Sequence, residues 1–346
     1  MEKTLVIILA ETREHETTFD NFKINVLDEL NADLCLCIGI KNDYNFDNMY
    51  YKTAKYKKLL DEYTEDYGVY FEYVYNELTK NVSEYEEYTI NYLHKDDTNN
   101  YIFTSDNNKI IIKDTENYPN KPEIQLYKKR KHWRTFLKFK SQFLGGIKDA
   151  FYEHKGSGGI LIFYRYLLLD YLINADIINK YDRFVITRSD YIYTLPHPKM
   201  EILNKDYIWV PNGEYYNGIT DRHAVLSKNN IVSYLNILQN MICYSNKYYR
   251  FLKNYNHSYW NLEKIILFNL KYNNINHVYI FPYIMYTIRT ENGTSRWSSG
   301  IYDDNLGYYI KYPTEYKIAC DIKQDFIDKN IQLNDFYKEQ MIKIIF

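Results

Sequence analysis

The first forty residues alternate between apolar runs and a polar stretch with helical spacing. Residues 5–9 form an unbroken apolar run rich in β-branched side chains, which is typical of a strand covered on both faces. A second such run follows at 33–39. Strand, helix and strand in this order predict a right-handed βαβ unit, and therefore an α/β protein whose central sheet is mainly parallel and flanked by helices. The apolar positions of the predicted helix are Phe19, Phe22, Val26, Leu27 and Leu30.

Residues 42–127 differ from this opening because they are polar, rich in tyrosine and nearly free of glycine and proline up to Tyr118. The stretch 49–78 has helical spacing in two pieces. Apolar runs at 101–104 and 109–113, separated by Ser-Asp-Asn-Asn, predict a β-hairpin. We interpret the whole segment as an elaboration inserted into the α/β core.

Helical spacing resumes over 133–154, where Gly145-Gly146 is a potential interruption. The stretch Gly156-Ser-Gly-Gly159 is either a hinge before the next helix or a close approach of backbone to substrate at a helix start. Residues 160–179 predict a mostly apolar, central helix with Arg165 in mid-run. This arginine either snorkels to the surface or points at a phosphate.

The second half of the chain continues the alternation of strands and helices. We expect one domain over 1–302 and a C-terminal helical extension over 303–346 that packs on it. The predicted strands lie at 183–186, 207–210 and 277–281, and the predicted helices at 222–245 and 259–272.

Composition and charge restrict the classes of function. The formal net charge of −2 argues against binding to nucleic acid, where a basic footprint is expected. The basic run at 128–134 is either a solvated helix start or a contact for an acidic acceptor, a membrane surface or a diphosphate. We expect neither a signal peptide nor a transmembrane segment. We expect reduced, buried thiols, which suit the cytoplasm, at Cys35, Cys37, Cys243 and Cys320.

The strand at 183–186 ends in a polar tip, Thr187-Arg-Ser-Asp190. Ligands of open α/β sheets bind outside the carboxyl ends of the strands. At such a position Asp190 could hold a divalent cation and Arg188 a phosphate. The alternative is that Asp190 caps a turn.

A second polar constellation follows in residues 211–223. Its glycines, Gly213 and Gly218, permit close approach of the backbone to a ligand. Glu214 and Asp221 supply two carboxylates, one of which could act as a general base. The alternative for Asp221 is the cap of a helix that begins near Arg222.

Two further features lie late in the chain. Arg289, Arg296 and Trp297 belong to a basic stretch after the last predicted strand, which either is surface charge or closes over a diphosphate. His277 begins that strand and is a candidate third metal ligand, or simply a lone histidine.

The βαβ opening, the strand that ends in Thr-Arg-Ser-Asp-Tyr and the glycine-containing stretch that ends in Asp221 resemble nucleotide-sugar glycosyltransferases of the GT-A fold. The resemblance extends to glycosyltransferases of large DNA viruses and of bacterial surface-polysaccharide loci, and it covers mainly residues 1–40 and 156–300. It implies a Rossmann-like fold, a UDP- or GDP-sugar donor and a glycan or glycoconjugate acceptor. It places the chain in the cytoplasm, which is the host cytoplasm if the chain is viral.

In this family an Asp-X-Asp motif holds Mn²⁺ or Mg²⁺ against the donor diphosphate. The matching positions here are Arg188, Ser189 and Asp190, so an arginine replaces the first aspartate, and the need for a metal is open. By the same resemblance Asp221 is the catalytic carboxylate, with Glu214 as the alternative. The candidate donor-binding residues are Ala10, Glu11, Thr12, Arg13, Arg165, Arg188, Asp190, Arg289 and Arg296. The candidate acceptor-binding residues are Tyr216, Gly218, Arg222, His223 and Trp297.

Two alternatives to this function stay open. The chain contains 41 tyrosines, which either reflect AT-rich codons and fill core positions or form a stacking surface of a noncatalytic carbohydrate-binding, nucleic-acid-binding or structural protein. A different nucleotide-dependent transferase on a similar core is the other alternative. Tyrosines gathered on one exposed face would favour the binding protein, whereas a deep cleft lined by Asp190 and Asp221 would favour the enzyme.

Overall fold

A computed structural model describes residues 2–90, 94–95, 101–105, 108–112, 124–139, 143–148, 154–255, 257, 259–290, 298 and 300–346. Its strands are β1 (Thr4–Ala10), β2 (Asp33–Ile40), β3 (Tyr56–Asp61), β4 (Tyr85–Ile90), β5 (His94–Lys95), β6 (Tyr101–Ser105), β7 (Asn108–Ile112), β8 (Ile124–Lys129), β9 (Arg183–Thr187), β10 (Tyr191–Tyr193), β11 (Trp209–Pro211), β12 (Ala224–Ser227), β13 (His277–Phe281), β14 (Met285–Arg289), β15 (Ile301–Asp303), β16 (Tyr308–Ile310) and β17 (Ile342–Ile345).

The helices are α1 (His15–Phe22), α2 (Met49–Thr53), α3 (Tyr67–Thr79), α4 (Gly158–Asn174), α5 (Ile231–Leu235), α6 (Ile237–Cys243), α7 (Ser245–Lys253), α8 (Leu262–Tyr272), α9 (Pro313–Lys329) and α10 (Leu333–Gln340). A π-helical turn, Lys23–Asp28, continues α1, and 3₁₀ turns lie at Trp133–Lys138 and Met200–Ile202.

The central sheet has eight strands in the order β17-β13-β11-β12-β9-β1-β2-β3. β1, β2, β3 and β9 pair in parallel, and so do β11 and β13. β12 lies antiparallel between β9 and β11, and β17 lies antiparallel on β13. The prediction of an α/β protein with a mainly parallel sheet flanked by helices is therefore confirmed.

Strand β1 shows why the sheet is covered on both faces. Leu5, Ile7 and Leu9 pack with the helices α3 to α8 on one face, while Val6 and Ile8 pack with α1, α2 and α10 on the other. Successive side chains of a strand point to opposite faces, so a run without polar residues requires two apolar layers. Burial of each such side chain contributes about 2 kcal/mol.

Three predicted elements are wrong in kind. The stretch 49–78 is not purely helical, because β3 joins the central sheet beside β2, and part of the segment 42–127 thus belongs to the core. The stretch 222–245 begins with β12 instead of a helix. Over 133–154 the described residues form a 3₁₀ helix and turns. In each case pairing with distant strands or packing overrides the local pattern.

The hairpin predicted at 101–113 is confirmed as the antiparallel pair β6–β7. The C-terminal extension is only partly helical. β16 pairs with β14 in a second sheet of order β10-β14-β16-β15, and β17 extends the central sheet. The second sheet begins directly after the tip of β9, since β10 starts at Tyr191.

Tyrosine is a core residue in this protein. More described tyrosines are buried than largely exposed, and the buried ones include Tyr50, Tyr164, Tyr191 and Tyr234. The prediction that tyrosines fill core positions is therefore confirmed. All four cysteines are free thiols, but only Cys35 and Cys37 are buried as expected, whereas Cys243 and Cys320 are partly exposed. Burial raises the pKa of Cys35 to about 12.

Candidate functional site

A cavity of about 630 Å³ opens at the carboxyl ends of the parallel strands. The chain continues from β1 to β2 on one side, whereas β9 joins β1 on the other side. The strand order therefore reverses at β1, and the crevice at such a point is the usual ligand site of open α/β sheets. The cavity is lined by Leu9, Ala10, Glu11, Arg13, Lys41, Asn42, Asp43, Glu62, Tyr63, Thr64, Glu65, Tyr67, Ser157, Ile160, Leu161, Tyr164, Ile186, Thr187, Arg188, Ser189, Asp190, Asp221 and Arg222.

The tip of β9 presents a bidentate ion pair to this cavity. Arg188 Nε donates to Asp190 Oδ1 at 2.7 Å, and Arg188 Nη2 donates to Asp190 Oδ2 at 2.6 Å. Burial by itself would raise the pKa of Asp190, but the guanidinium of Arg188 outweighs it and lowers this pKa below its usual range. The carboxylate is ionised, and both of its oxygens are occupied.

This pair decides whether a metal fits. Asp190 has both oxygens bonded to Arg188, and among the described residues no cluster of three or more His, Cys, Asp or Glu side chains could hold a metal ion. His277 is the first residue of β13, which runs parallel to β11 and in the same direction as β9. It therefore lies at the opposite edge of the sheet from Asp190. The residues present do not fit the metal that the resemblance suggested.

The segment after β1 is bound to the tip of β9. Ala10 ends β1 with φ of 75°, a left-handed conformation that is uncommon for a residue with a Cβ. Arg13 N donates to Ser189 Oγ at 2.6 Å, and Ser189 Oγ donates to the Glu11 carbonyl. Arg13 also pairs with the Glu11 carboxylate. Of the residues predicted at 10–13, three line the cavity, whereas Thr12 bonds to the hydroxyl of Tyr44 outside its wall.

A lysine that we did not predict lies beside this tip. Lys311 follows β16 and is only 7% exposed. Burial, and after it the charge of Arg188, lowers the pKa of Lys311 to about 7. We call Arg13, Arg188, Asp190 and Lys311 the basic side of the site.

Asp221 also lines the cavity, just before β12, the strand that pairs with β9. Its main-chain carbonyl accepts a hydrogen bond of 2.9 Å from Nη2 of Arg165, which is fully buried on α4 and also donates to the Leu161 carbonyl. The prediction that Arg165 binds the donor is wrong, because its side chain is fully buried and donates to two main-chain carbonyls. Arg165 instead fixes the backbone that presents Asp221.

Arg222 forms a second buried ion pair beside Asp221. Its guanidinium pairs with Glu315 and, at 3.4 Å, with Glu214, and it lies 4.9 Å from the ring centroid of Tyr312. Glu315 belongs to the first turn of α9 and also accepts from the amide and hydroxyl of Thr287. Glu214 is thus bound to an arginine, whereas Asp221 lines the cavity and forms no ion pair with the described residues.

Glu263, in the first turn of α8, is a third carboxylate beside those of Asp221 and Glu214. Burial, and after it the charge of Asp221, raises the pKa of Glu263 to about 8. Its carbonyl accepts from Ile219 N at 3.0 Å, and a Cβ on Gly218 would collide with its backbone. The glycine is therefore required for packing of this turn on α8, not for approach to a ligand. We call Glu214, Asp221, Arg222 and Glu263 the acidic side of the site.

His223 is buried beneath the cavity, so the prediction that it binds an acceptor is wrong. Its Nδ1 lies 3.0 Å from Thr187 Oγ1 and its Nε2 lies 3.2 Å from His197 Nε2. His197 Nδ1 donates to the Pro198 carbonyl, which can only accept. His197 Nε2 must then accept from His223, and His223 Nδ1 accepts from Thr187. Both imidazoles are neutral in this chain of bonds, and burial lowers the pKa of His197 to about 4.

Of the other predicted acceptor and donor residues, Tyr216 and Arg289 do not line the cavity. Tyr216 is half-exposed on the turn before Gly218. Arg289 ends β14 and donates to the Ser298 carbonyl at 3.3 Å, near enough to Lys311 to help lower its pKa. Arg296 and Trp297 lie outside the described residues.

The glycine-rich break before α4 combines both interpretations that the sequence left open. Ser157 lines the cavity, as a close approach to a ligand requires. A Cβ on Gly159 or Gly145 would meet neighbouring backbone, so these glycines also serve the packing of two turns.

Comparisons with known proteins do not assign the chain to a family. No protein-family model matches the chain, and neither the curated proteins nor the solved structures yielded a match. Within the described part of the chain, no helix is long and apolar enough to cross a membrane.

Proposed function

We propose that this chain transfers a sugar from a nucleoside-diphosphate sugar to a hydroxyl of a glycan or glycoconjugate, on a Rossmann-like fold of the GT-A type. One observation supports this most strongly. A single cavity at the reversal point of the sheet is lined both by the Arg188–Asp190 pair and by Asp221. This is the arrangement that a phosphorylated donor and a hydroxyl acceptor require.

The donor nucleoside fits the part of the cavity at the ends of β2 and β3. Lys41, Asn42 and Asp43 follow β2, and residues 62–65 follow β3. Tyr164 donates to Glu62 at 2.7 Å, which holds this carboxylate against Gly39. These groups offer both donors and acceptors to a base and a ribose, while the neighbouring basic side receives the diphosphate.

The chemistry follows from the positions of the charges. The leaving nucleoside diphosphate gains negative charge in the transition state, and guanidinium groups such as those of Arg13 and Arg188 stabilise it. The sugar becomes oxocarbenium-like, as in glycoside hydrolysis. Asp221, which lines the same cavity, is the candidate base for the acceptor hydroxyl. Glu214 is a weaker candidate because Arg222 binds it. No step requires a metal ion.

A binding protein with a tyrosine surface is the second class of function that we considered. The burial of residues such as Tyr50, Tyr191 and Tyr283 does not favour it. Free cysteines at all four positions fit a reaction in the cytoplasm.

The test is a thermal-shift panel of UDP-, GDP- and CMP-sugars with and without Mn²⁺, followed by a nucleotide-release assay on every donor that stabilises the protein. We expect at least one UDP- or GDP-sugar to raise the melting temperature and to be consumed when acceptors are supplied. If none of these donors shifts the melting temperature, the proposed function is wrong.

A further inference from the structure

The basic side has more positive than negative charges, because one of its cations, Lys311, has no carboxylate partner among the described residues. Nε and Nη2 of Arg188 donate to the Asp190 carboxylate, and Arg13 pairs with Glu11. Lys311 has neither a hydrogen-bond partner nor a carboxylate within ion-pair distance among the described residues, although only 7% of its surface is exposed. Its nearest aromatic contact is the Tyr312 ring, 5.1 Å from Nζ.

A buried ammonium without a counter-charge is costly and is seldom retained unless a ligand supplies the missing anion. The charged groups that face Lys311 come from three elements. Arg13 follows β1, Arg188 and Asp190 form the tip of β9, and Arg289 ends β14. Only Asp190 is negative, and Arg188 already neutralises it.

We propose that Lys311 supplies the positive charge with which the basic side binds the diphosphate of a nucleotide without a divalent cation. The inference rests on the proposed function for the identity of the ligand, but not for the existence of an anion site. It also gives the C-terminal extension a role in the site, because Lys311 and Glu315 both belong to residues 303–346.

Strand pairing holds the lysine in this position. Lys311 N donates to the Thr287 carbonyl at 2.9 Å, which continues the pairing of β16 with β14. β14 pairs in turn with β10, directly after Asp190. The backbone of Lys311 is therefore held by the second sheet, which begins directly after the tip of β9.

The pKa of Lys311, lowered to about 7 by burial and by Arg188, makes the site sensitive to pH. An anion favours the charged form of the lysine and raises its pKa on binding. Affinity is then highest below pH 7 and decreases as the free protein loses this proton. Binding at pH 8 should be accompanied by uptake of about one proton, whereas binding at pH 6 should not.

The experiment is isothermal titration calorimetry of the full chain with inorganic pyrophosphate, UDP and GDP, in EDTA and in Mn²⁺, at pH 6 and pH 8. We expect wild-type protein to bind pyrophosphate in EDTA. K311M should weaken this binding roughly 10- to 100-fold, because one hydrogen bond to a charged group is lost. K311R should restore affinity and abolish proton uptake at pH 8, since a guanidinium does not titrate there.

K317M is the matched control, because it removes a lysine from the exposed surface of α9. It should bind like wild type. Circular dichroism and the melting temperature check that K311M folds, which we expect because the substitution removes a desolvated charge.

The outcomes separate the two proposals. If K311M binds pyrophosphate as wild type does, or if wild type binds only with Mn²⁺, the role of Lys311 is wrong even when a nucleotide sugar is a substrate. If pyrophosphate binds through Lys311 but no nucleotide or nucleotide sugar does, the inference stands and the proposed function is wrong.

Discussion

The basic and acidic sides of the cavity contain the same kinds of group in opposite proportions. Each has a buried arginine–carboxylate pair, formed by Arg188 with Asp190 on one side and by Arg222 with Glu315 on the other. Beyond its pair, the basic side has the extra cation Lys311, while the acidic side has the extra carboxylates Asp221 and Glu263. The pairs fix geometry, and the excess charges are available for a ligand.

The excess charges respond to burial in the same way. The pKa of Lys311 falls to about 7 and that of Glu263 rises to about 8, in both cases with burial as the largest cause and like charges next. Each shift moves the group towards its neutral form and lowers the stability of the fold when the group is charged. Such costs concentrate at functional sites. Lys311 and Glu263 each interact with a residue that lines the cavity, Arg188 and Asp221 respectively, which supports one site with two oppositely charged sides.

The largest effect is expected at the acidic side, from Asp221→Asn. Without the base, the rate of transfer should fall about 10²- to 10⁴-fold, while donor affinity stays within a few-fold of wild type because the diphosphate binds at the other side. Steady-state kinetics and calorimetry measure the two quantities. Glu214→Gln is the control, and a larger loss of rate in that variant would reverse the assignment.

At the basic side, Asp190→Ala should destabilise the protein by about 3 kcal/mol, because it leaves Arg188 partly buried without its counter-ion. Urea denaturation measures this loss. The double variant Arg188→Met with Asp190→Leu should recover most of the stability but not donor binding. If the single variant is as stable as wild type, the pair is not the structural anchor that we describe.

The two sides are joined beneath the cavity by the bonds from Tyr193 through Thr187 and His223 to His197. The folded state keeps both imidazoles neutral, with the pKa of His197 lowered to about 4, whereas unfolded histidines gain protons below about pH 6.5. The unfolded state thus binds more protons than the folded state between pH 6.5 and 4. The free energy of unfolding therefore decreases as the pH is lowered, by about 1.4 kcal/mol per pH unit for each histidine. Denaturation at several pH values measures this slope, which the variant His197→Asn with His223→Gln should flatten.

The smallest effect, and one of opposite sign, is expected from Glu263→Gln. The pKa of Glu263 is raised in the fold, so the folded state binds more protons than the unfolded state between pH 4.5 and 8, and stability falls as the pH rises through this window. Removing the charge should raise the free energy of unfolding by about 1–3 kcal/mol at pH 8.5 and by much less at pH 5. Equal gains at both pH values would show that Asp221 and Glu263 do not interact as charges.

Elements that a short run of residues specifies by itself were predicted accurately, whereas elements that form only by pairing with distant strands were missed. β1, β2, β9 and β13 are unbroken apolar runs and were predicted within one or two residues. β3 was missed because Tyr-Lys-Lys-Leu-Leu-Asp suits an edge strand as well as a helix. β12 was missed because its four residues become a strand only by pairing with β9 and β11.

The same distinction applies to the site. Arg188, Asp190 and Asp221 were found because each belongs to a polar cluster next to a strand, the first two directly after β9 and the third just before β12. Lys311, Glu263 and Glu315 were not found, because nothing around them in the sequence marks them. Their importance comes from residues that are distant along the chain, such as Arg188, Asp221 and Arg222. His223 and Arg165 were misplaced for the converse reason. Their residue types suggested ligands, but their side chains point into the core.

The sequence by itself determined the α/β class, the parallel βαβ opening and the strand end at which a ligand site was expected, because period and apolar runs are local properties of the chain. Only the tertiary structure decided which charges pair and which are left over. That depends on the distances between side chains from different elements, and it is why Asp190 belongs to Arg188 and not to a metal, and why the unpaired cation of the site comes from the C-terminal extension.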